Sequence, residues 1–251
     1  MHSDAGVRPR FGLNNFQLKS IALTAMVIDH TGVIFSGYNG ADLTLLRLIG
    51  RVAFPVFAFL IAEGCRHTRD MKKYMLRLFV FALMSQLFFF TGRVVFGRLA
   101  PEAQNPFTAL PSYNVFFTLL LGAVSVYCYE RLKDAARFAA FLPFCAAMAL
   151  AYYLNTDYDA VGVFMIFAAY IAQNRRWQLI AMLSGILLLY YQFLLLPVGD
   201  LRFFMPCAAG LSLFLIALYN GGRGKPYKWI FYIAYPGHFA ALGLLYFLFI
   251  T

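Results

Sequence analysis

Nine stretches of the chain are almost continuously apolar, and short polar clusters with turn residues separate them. They run over 18–37, 42–64, 73–92, 113–130, 136–154, 158–173, 177–196, 201–219 and 228–249. A helix needs about 20 predominantly apolar residues to cross a bilayer, so each stretch is a candidate span. The pattern predicts an all-α, polytopic transmembrane bundle of nine spans. Residues 1–17 form a polar N-terminus ahead of it, and 18–251 make one helical membrane domain. The first 17 residues hold no hydrophobic core of a signal peptide, and the first span has no A-x-A-like end, which predicts a retained helix. No internal or inverted repeat is visible. Segment 93–112, with Pro101, Pro106 and Pro111, reads as an external loop with turns.

Composition sharpens this picture. Apolar residues make up 62% of the chain and charged residues only 13%, against about 45–50% and about 25% in soluble domains. That excludes a soluble enzyme, a disordered chain and a disulfide scaffold. Cys65, Cys128, Cys145 and Cys207 form no C-x-x-C and have no histidine at metal spacing. They read as reduced apolar residues, and no metal is implied.

The formal charge of +10 is compatible in principle with nucleic acid or with anionic lipid. The positions of the charges point instead to topology, and no nucleic-acid partner is expected. With nine spans, one side holds Arg8, Arg10, Lys19, Arg66, Arg69, Lys72, Lys73, Arg77, Arg131, Lys133, Arg137, Arg175, Arg176, Arg223, Lys225 and Lys228. The other side holds Arg93, Arg98 and Arg202, while Arg47 and Arg51 fall inside the second span. Cytoplasmic connections carry the excess of Lys and Arg, so the N-terminus is expected in the cytoplasm and the C-terminus outside.

Ionisable groups inside spans are expensive and mark candidate sites. Span one carries Asp29 and His30, span two Arg47, Arg51 and Glu63, and span nine His238. At 1.5 Å per residue, His30, Arg51 and His238 lie roughly 18, 20 and 15 Å from the cytoplasmic ends of their spans. They therefore share a layer near the bilayer midplane. Asp29 sits about 100° round the helix from His30 and pairs plausibly with Arg51, because a buried charge needs a partner. The plain alternative is a set of structural ion pairs and satisfied core histidines. Pro55 and Pro236 free the carbonyls of Arg51 and Tyr232 and predict broken helices beside this layer.

The connection after span two is dense in basic residues: Arg66, Arg69, Lys72, Lys73 and, one turn on, Arg77, with Tyr74 among them. Such a cluster suits membrane lipid headgroups or the phosphates of a nucleotide-like cosubstrate. On the other side, Asp157, Tyr158 and Asp159 open span six. Helix capping is the simple reading, and an acceptor site or general base is the functional one. Asn114 and Thr118 share a helix face, four residues apart.

Taken together these residues resemble the TraX family, the conjugal pilin acetylases. The resemblance runs from Leu18-Lys19 and Asp29-His30 through Arg47-Leu-Ile-Gly50-Arg51-Val-Ala-Phe54-Pro55-Val-Phe57-Ala-Phe59 and Glu63-Gly64. It continues with His67-Thr68-Arg69, Tyr74, Arg77-Leu78, Ser85, Asn114, Phe117-Thr118, Asp157-Tyr158, Gly162, and Phe231-Tyr232 with Tyr235-Pro236-Gly237-His238. Where the family pattern has a glycine after Asp157-Tyr158, this chain has Asp159.

The resemblance implies a multi-pass acetyltransferase of the bacterial inner membrane. Acetyl-CoA would be a cosubstrate, with its phosphates against Arg66, Arg69, Lys72, Lys73, Tyr74 and Arg77. The acceptor is an amine or hydroxyl: pilin in the conjugation systems, or another envelope protein or glycan. His30 would be the general base or acyl carrier, and His238 its orienter or an alternative base. Arg51 would stabilise the oxyanion or neutralise Asp29. Asp157 would orient or deprotonate the acceptor, with Asn114, Tyr158 and Tyr235 on that side. A transporter, or a non-catalytic membrane subunit of pilus assembly, would also use midplane histidines and broken helices.

Overall fold

The computed structural model describes residues 11–36, 41–99 and 112–250. Arg8, Arg10, Pro101, Pro106 and Pro111 lie outside the described residues. Ten α-helices fill the positions of the nine predicted spans: α1 (Asn15–Phe35), α2 (Thr44–Gly50), α3 (Ala53–His67), α4 (Met71–Leu99), α5 (Val115–Leu132), α6 (Leu142–Tyr153), α7 (Asp159–Ile171), α8 (Arg175–Tyr190), α9 (Met205–Ala217) and α10 (Lys228–Ile250). Two isolated β-bridges, Leu13 with Tyr219 and Tyr113 with Thr156, tie connections together.

Among the described residues, six segments are long and apolar enough to cross a bilayer: Asn15–Phe35, Thr44–His67, Met71–Thr91, Val115–Leu132, Arg175–Leu195 and Trp229–Leu248. The chain is thus an all-α, multi-pass membrane bundle. The other three apolar segments, Ala139–Tyr153, Asp159–Ile171 and Leu201–Ala217, are shorter than the six.

Local sequence sets the helix ends. Asn14 caps α1: its side chain accepts from the Gln17 amide at 3.0 Å while the Gln17 side chain accepts from the Asn14 amide at 2.9 Å. This capping box starts α1 three residues before the apolar run. Asp70 opens α4 by accepting from the Lys73 amide at 3.0 Å, and that bond holds the exposed Asp70 carboxyl below the usual carboxylate range.

Span two is two helices. Arg51 and Val52 separate α2 from α3, and Pro55 falls in the first turn of α3, where its missing N–H has no helical partner to lose. The final span differs from expectation: α10 runs unbroken through Pro236.

Helix α3 occupies the centre, packed against α1, α5, α7, α8 and α9. Phe54 and Phe59 are fully buried there. The core also encloses polar side chains, including Ser85, Asn114, Thr118, Ser125 and Ser212, all with no exposed surface. Large apolar residues cover the outside instead, among them Leu87 and Phe90 of α4, Leu188 of α8 and Leu244 and Leu248 of α10. Lipid tails solvate such a surface, and the polar groups find partners only inside.

The connections gather at two ends. At one, the segment before α1 pairs with the segment after α9 (Leu13 N to Leu218 O, 2.8 Å), and Arg66 reaches the end of α7. At the other, across the α5 and α7 entries, Asp157 N donates to the Tyr113 carbonyl at 2.9 Å and Tyr113 N to the Asn155 carbonyl at 3.3 Å.

Candidate functional site

The polar layer is assembled from α1, the α2–α3 break and α10. Asp29 and His30 are neighbours on α1 and face different partners, as the helical 100° step dictates. Oδ1 of Asp29 accepts from Arg47 Nε at 3.0 Å and also from Arg51 Nη2. Arg51 turns its Nε back to the Arg47 carbonyl at 3.1 Å. One carboxylate thus anchors two guanidinium groups on either side of the helix break. Gly50 makes this possible, because a Cβ there would overlap the Asp29 side chain.

His30 faces α10. Its Nδ1 lies 2.8 Å from Nε2 of His238, and the rings stack with centroids 4.9 Å apart and planes 17° from parallel. Nδ1 of His238 lies 3.2 Å from the carbonyl oxygen of Ala234. A carbonyl only accepts, so His238 carries its hydrogen on Nδ1 and accepts on Nε2. With both rings neutral, His30 then donates from Nδ1 and keeps the lone pair on Nε2. The two rings make a relay oriented by the backbone, ending in a basic nitrogen on His30.

His30 lines a small cavity of about 20 Å³ with Asp29, Gly50, Phe54, Val115, Asp157, Tyr158 and Tyr235. That is room for one water-sized group. A larger cavity of about 150 Å³ adjoins it and shares Met26, Phe57, Val115 and Tyr235 with it. From that junction it extends past Leu23, Leu60 and Leu119 to Asn15, Lys19, Gly64 and Tyr74 at the basic end of the bundle. The lining is apolar for most of its length, with one cation, Lys19, whose ammonium lies 5.7 Å from the centre of the Phe231 ring.

Asp157 reaches the site through a strained turn. Asn155, Tyr158 and Asp159 all have φ between 50° and 63°, the left-handed region that non-glycine residues rarely adopt. Thr118 holds the turn, donating to the Asp157 carbonyl and lying 3.0 Å from Thr156 Oγ1. Tyr158 stacks on Phe54 with centroids 3.6 Å apart. Gly162 admits this packing, since a Cβ there would crowd Thr118 and Phe54. No capping bond comes from Asp157. Asp159 instead accepts from the adjacent Ala160 amide at 2.7 Å.

The other expected residues divide. Asn114 caps α5, accepting from the Phe116 amide at 3.0 Å, and donates to the Ala82 carbonyl at 2.8 Å and to Gln86 at 3.0 Å. Its polar groups are thereby engaged within the bundle. Arg66 is engaged within the bundle as well. It pairs with Glu63 at 2.7 Å and donates to the carbonyls of Ala169, Tyr170 and Ala172 at 2.5–2.7 Å, capping the end of α7. Glu63 also accepts from Gln178 at 3.0 Å.

Arg69, Lys72 and Lys73 are exposed at the mouth of the bundle, Lys73 with Asp70 at 3.3 Å. Arg77 lies over the Tyr74 ring at 5.9 Å, and its buried Nε has no partner among the described residues. No group of three His, Cys, Asp or Glu that could hold a metal is present among the described residues.

Sequence reasoning counted Lys19 only as a topology charge and missed its place in the large cavity. The missing signal is the capping box at Asn14, which draws that turn into the bundle. Arg47 as a second partner of Asp29 was also missed, because the break that folds α2 back is invisible in the apolar run.

The TraX protein family profile matches residues 15–246. The probable fimbrial assembly protein FimC, serogroup H1, of Dichelobacter nodosus is 30% identical over 236 residues, covering 90% of this chain and 93% of the relative. An uncharacterized protein of Rickettsia prowazekii (strain Madrid E) is 27% identical over 201 residues, covering 75% and 71%. No solved structure matches. The match spans the polar layer, both cavities and the strained turn together, and the chain belongs to the TraX family.

Proposed function

We propose that the protein is an acetyltransferase that takes acetyl from cytoplasmic acetyl-CoA and passes it to an acceptor amine or hydroxyl within the bacterial inner membrane. The observation that carries this reading is the pair of neighbouring cavities that share four lining residues. One opens toward the basic end of the bundle, and the other holds a histidine relay ending in a basic nitrogen.

The chemistry follows from the parts. A CoA thioester is an anion with a long, thin arm. Its nucleotide stays in water near Arg69, Lys72, Lys73 and Arg77, beside Tyr74. The arm enters the apolar cavity past Lys19. From Lys19 to His30 is eleven residues of α1, about 16 Å, comparable to an extended phosphopantetheine arm. The thioester then stands at the junction beside the small cavity. His30 removes the acceptor's proton through Nε2. His238 and the Ala234 carbonyl hold the ring in the tautomer that keeps this lone pair free. Arg51 is engaged by Asp29, so its role is to fix the α2–α3 break and the charge of the layer.

The acceptor approaches Asp157 and Tyr158 from the opposite side of the small cavity. The fimbrial assembly relative favours a pilin-like protein as the acceptor. The test is transfer from labelled acetyl-CoA by purified protein in nanodiscs, with small amines and a pilin N-terminal peptide as acceptors. Label transfer that falls at least about 100-fold in His30→Ala is the expected result. Folded parent protein that neither transfers nor hydrolyses acetyl would refute the reading.

A further inference from the structure

The larger cavity holds a cation and no anion. Among the described residues Lys19 is the one charged member of its lining, and no carboxylate lines it. Lys19 is half-buried, beside the fully buried Leu18 of α1. Its ammonium lies 5.7 Å from the centre of the Phe231 ring, and among the described residues it has no ion pair and no hydrogen bond. The carboxylates around it are engaged elsewhere. Glu63, next to the lining residue Gly64, accepts from Arg66 at 2.7 Å and from Gln178 at 3.0 Å. Asp29 holds Arg47 and Arg51, and Asp70 pairs with Lys73.

An ammonium drawn out of water without a partner costs stability. A lysine near the end of a membrane helix ordinarily turns its charge outward to the interface. Lys19 instead lines an interior cavity, at the end that also carries the Tyr74 hydroxyl. A compact ammonium with three donors suits a phosphate. The rest of the lining describes what the phosphate is attached to. Leu23, Leu60, Leu78 and Leu119 wall a passage suited to a slender, uncharged chain. It ends at Met26 and Tyr235, which also line the small cavity at His30. From Lys19 to His30 is eleven residues of α1, about 16 Å.

We propose that Lys19 is the ligand of the phosphate that heads a phosphopantetheine arm, so that the donor is read inside the bundle as well as at the exposed basic cluster. The identity of the donor rests on the acetyltransferase reading. Lys19 donates to a phosphate oxygen and balances its charge, and this sets the depth at which the arm stops. It stands a full arm's length from the thioester and takes no part in the proton transfer at His30. A donor that lacks the phosphate therefore loses affinity and keeps its chemistry.

Three donors isolate the phosphate: acetyl-CoA, acetyl-phosphopantetheine without the nucleotide, and acetyl-pantetheine without any phosphate. Lys19→Met keeps a flexible apolar stem and loses the charge, and Lys19→Arg keeps the charge. Acetyl transfer in nanodiscs is measured with each donor, and thermal unfolding with and without phosphopantetheine. Lys19→Met is expected to raise KM about tenfold or more for the two donors that carry phosphate, with kcat little changed. With acetyl-pantetheine it is expected to stay within about threefold of the parent, and Lys19→Arg to retain most of the parent's preference for phosphate. Phosphopantetheine is expected to raise the unfolding temperature of the parent and not that of Lys19→Met. Without ligand, Lys19→Met is expected to unfold at the parent's temperature or above it, because the lost ammonium had no anion.

Equal losses with all three donors, or no loss with any, in a parent that turns over, would overturn the phosphate site and leave the acetyltransferase reading standing. A clear fall in the unfolding temperature of unliganded Lys19→Met would show the ammonium paired in the resting protein and would also overturn it. A lipid headgroup offers the same phosphate. A Lys19-dependent rise in unfolding temperature with anionic lipid in the nanodisc, and none with phosphopantetheine, would overturn the arm as the occupant. A folded parent that transfers from no donor, yet is stabilised by phosphopantetheine through Lys19, would sink the acetyltransferase reading and keep the site.

Discussion

A single carboxylate organises the chemistry at the residue scale. Asp29 is ion-paired with Arg47 and Arg51 at once, and removing one member of a buried ion pair leaves an uncompensated charge worth about 3–5 kcal/mol. Asp29→Asn is therefore expected to lower stability by an amount of that order, seen as an earlier thermal transition of the protein in nanodiscs. His30→Gln, which breaks no ion pair, is expected to leave the transition near the parent's. Equal transitions for the two variants would mean that Asp29 is not the anchor. The Asp29–Arg51 pair was legible in the sequence because both charges fall in one apolar layer. The two-histidine contact was legible only as a shared depth. That His30 and His238 meet at 2.8 Å depends on how α1 and α10 rotate against each other, which no single-helix pattern records.

The entries and breaks of helices place the functional groups at the element scale. The apolar runs located every helix, but their ends were set by caps and turns that a hydropathy reading passes over. Asn14 extends α1, Asn114 fixes the start of α5, and Arg51–Val52 divides the second span. Arg66 shows the same effect in reverse. Its position in a basic cluster suggested a phosphate ligand, while its geometry makes it the cap of α7.

The turn before α7 sets the backbone of Asp159, where the resemblance implied a glycine. Asp159 has φ of 50°, a conformation glycine adopts freely and aspartate tolerates better than most residues. Asp159→Gly is accordingly expected to be neutral or mildly stabilising, within about 1 kcal/mol. Asp159→Val, β-branched at a positive φ, is expected to cost about 1–2 kcal/mol. Thermal unfolding of both variants decides it, and a valine variant as stable as the parent would show that the turn relaxes.

At the scale of the whole molecule, the bundle is apolar outside and selectively polar inside. This is why composition alone identified a membrane protein. Composition could not reveal that the interior holds two cavities with shared walls. Gly50 lines one and Gly64 the other, where a Cβ would meet the Asp29 and Tyr74 side chains. Their linings run from Lys19 and Tyr74 at the basic end to Tyr235 and the relay at His30. The basic end carries exposed cations, the middle is apolar, and the inner end holds the two histidines. This is the order the proposed acyl-CoA donor requires.

The most direct test is an experimental structure of the protein in nanodiscs with a non-cleavable thioether analogue of acetyl-CoA. The arm is expected to lie in the larger cavity, with a phosphate beside Lys19 and the acetyl group next to His30. An analogue bound elsewhere on the bundle, or one that does not bind the folded protein, would contradict the account.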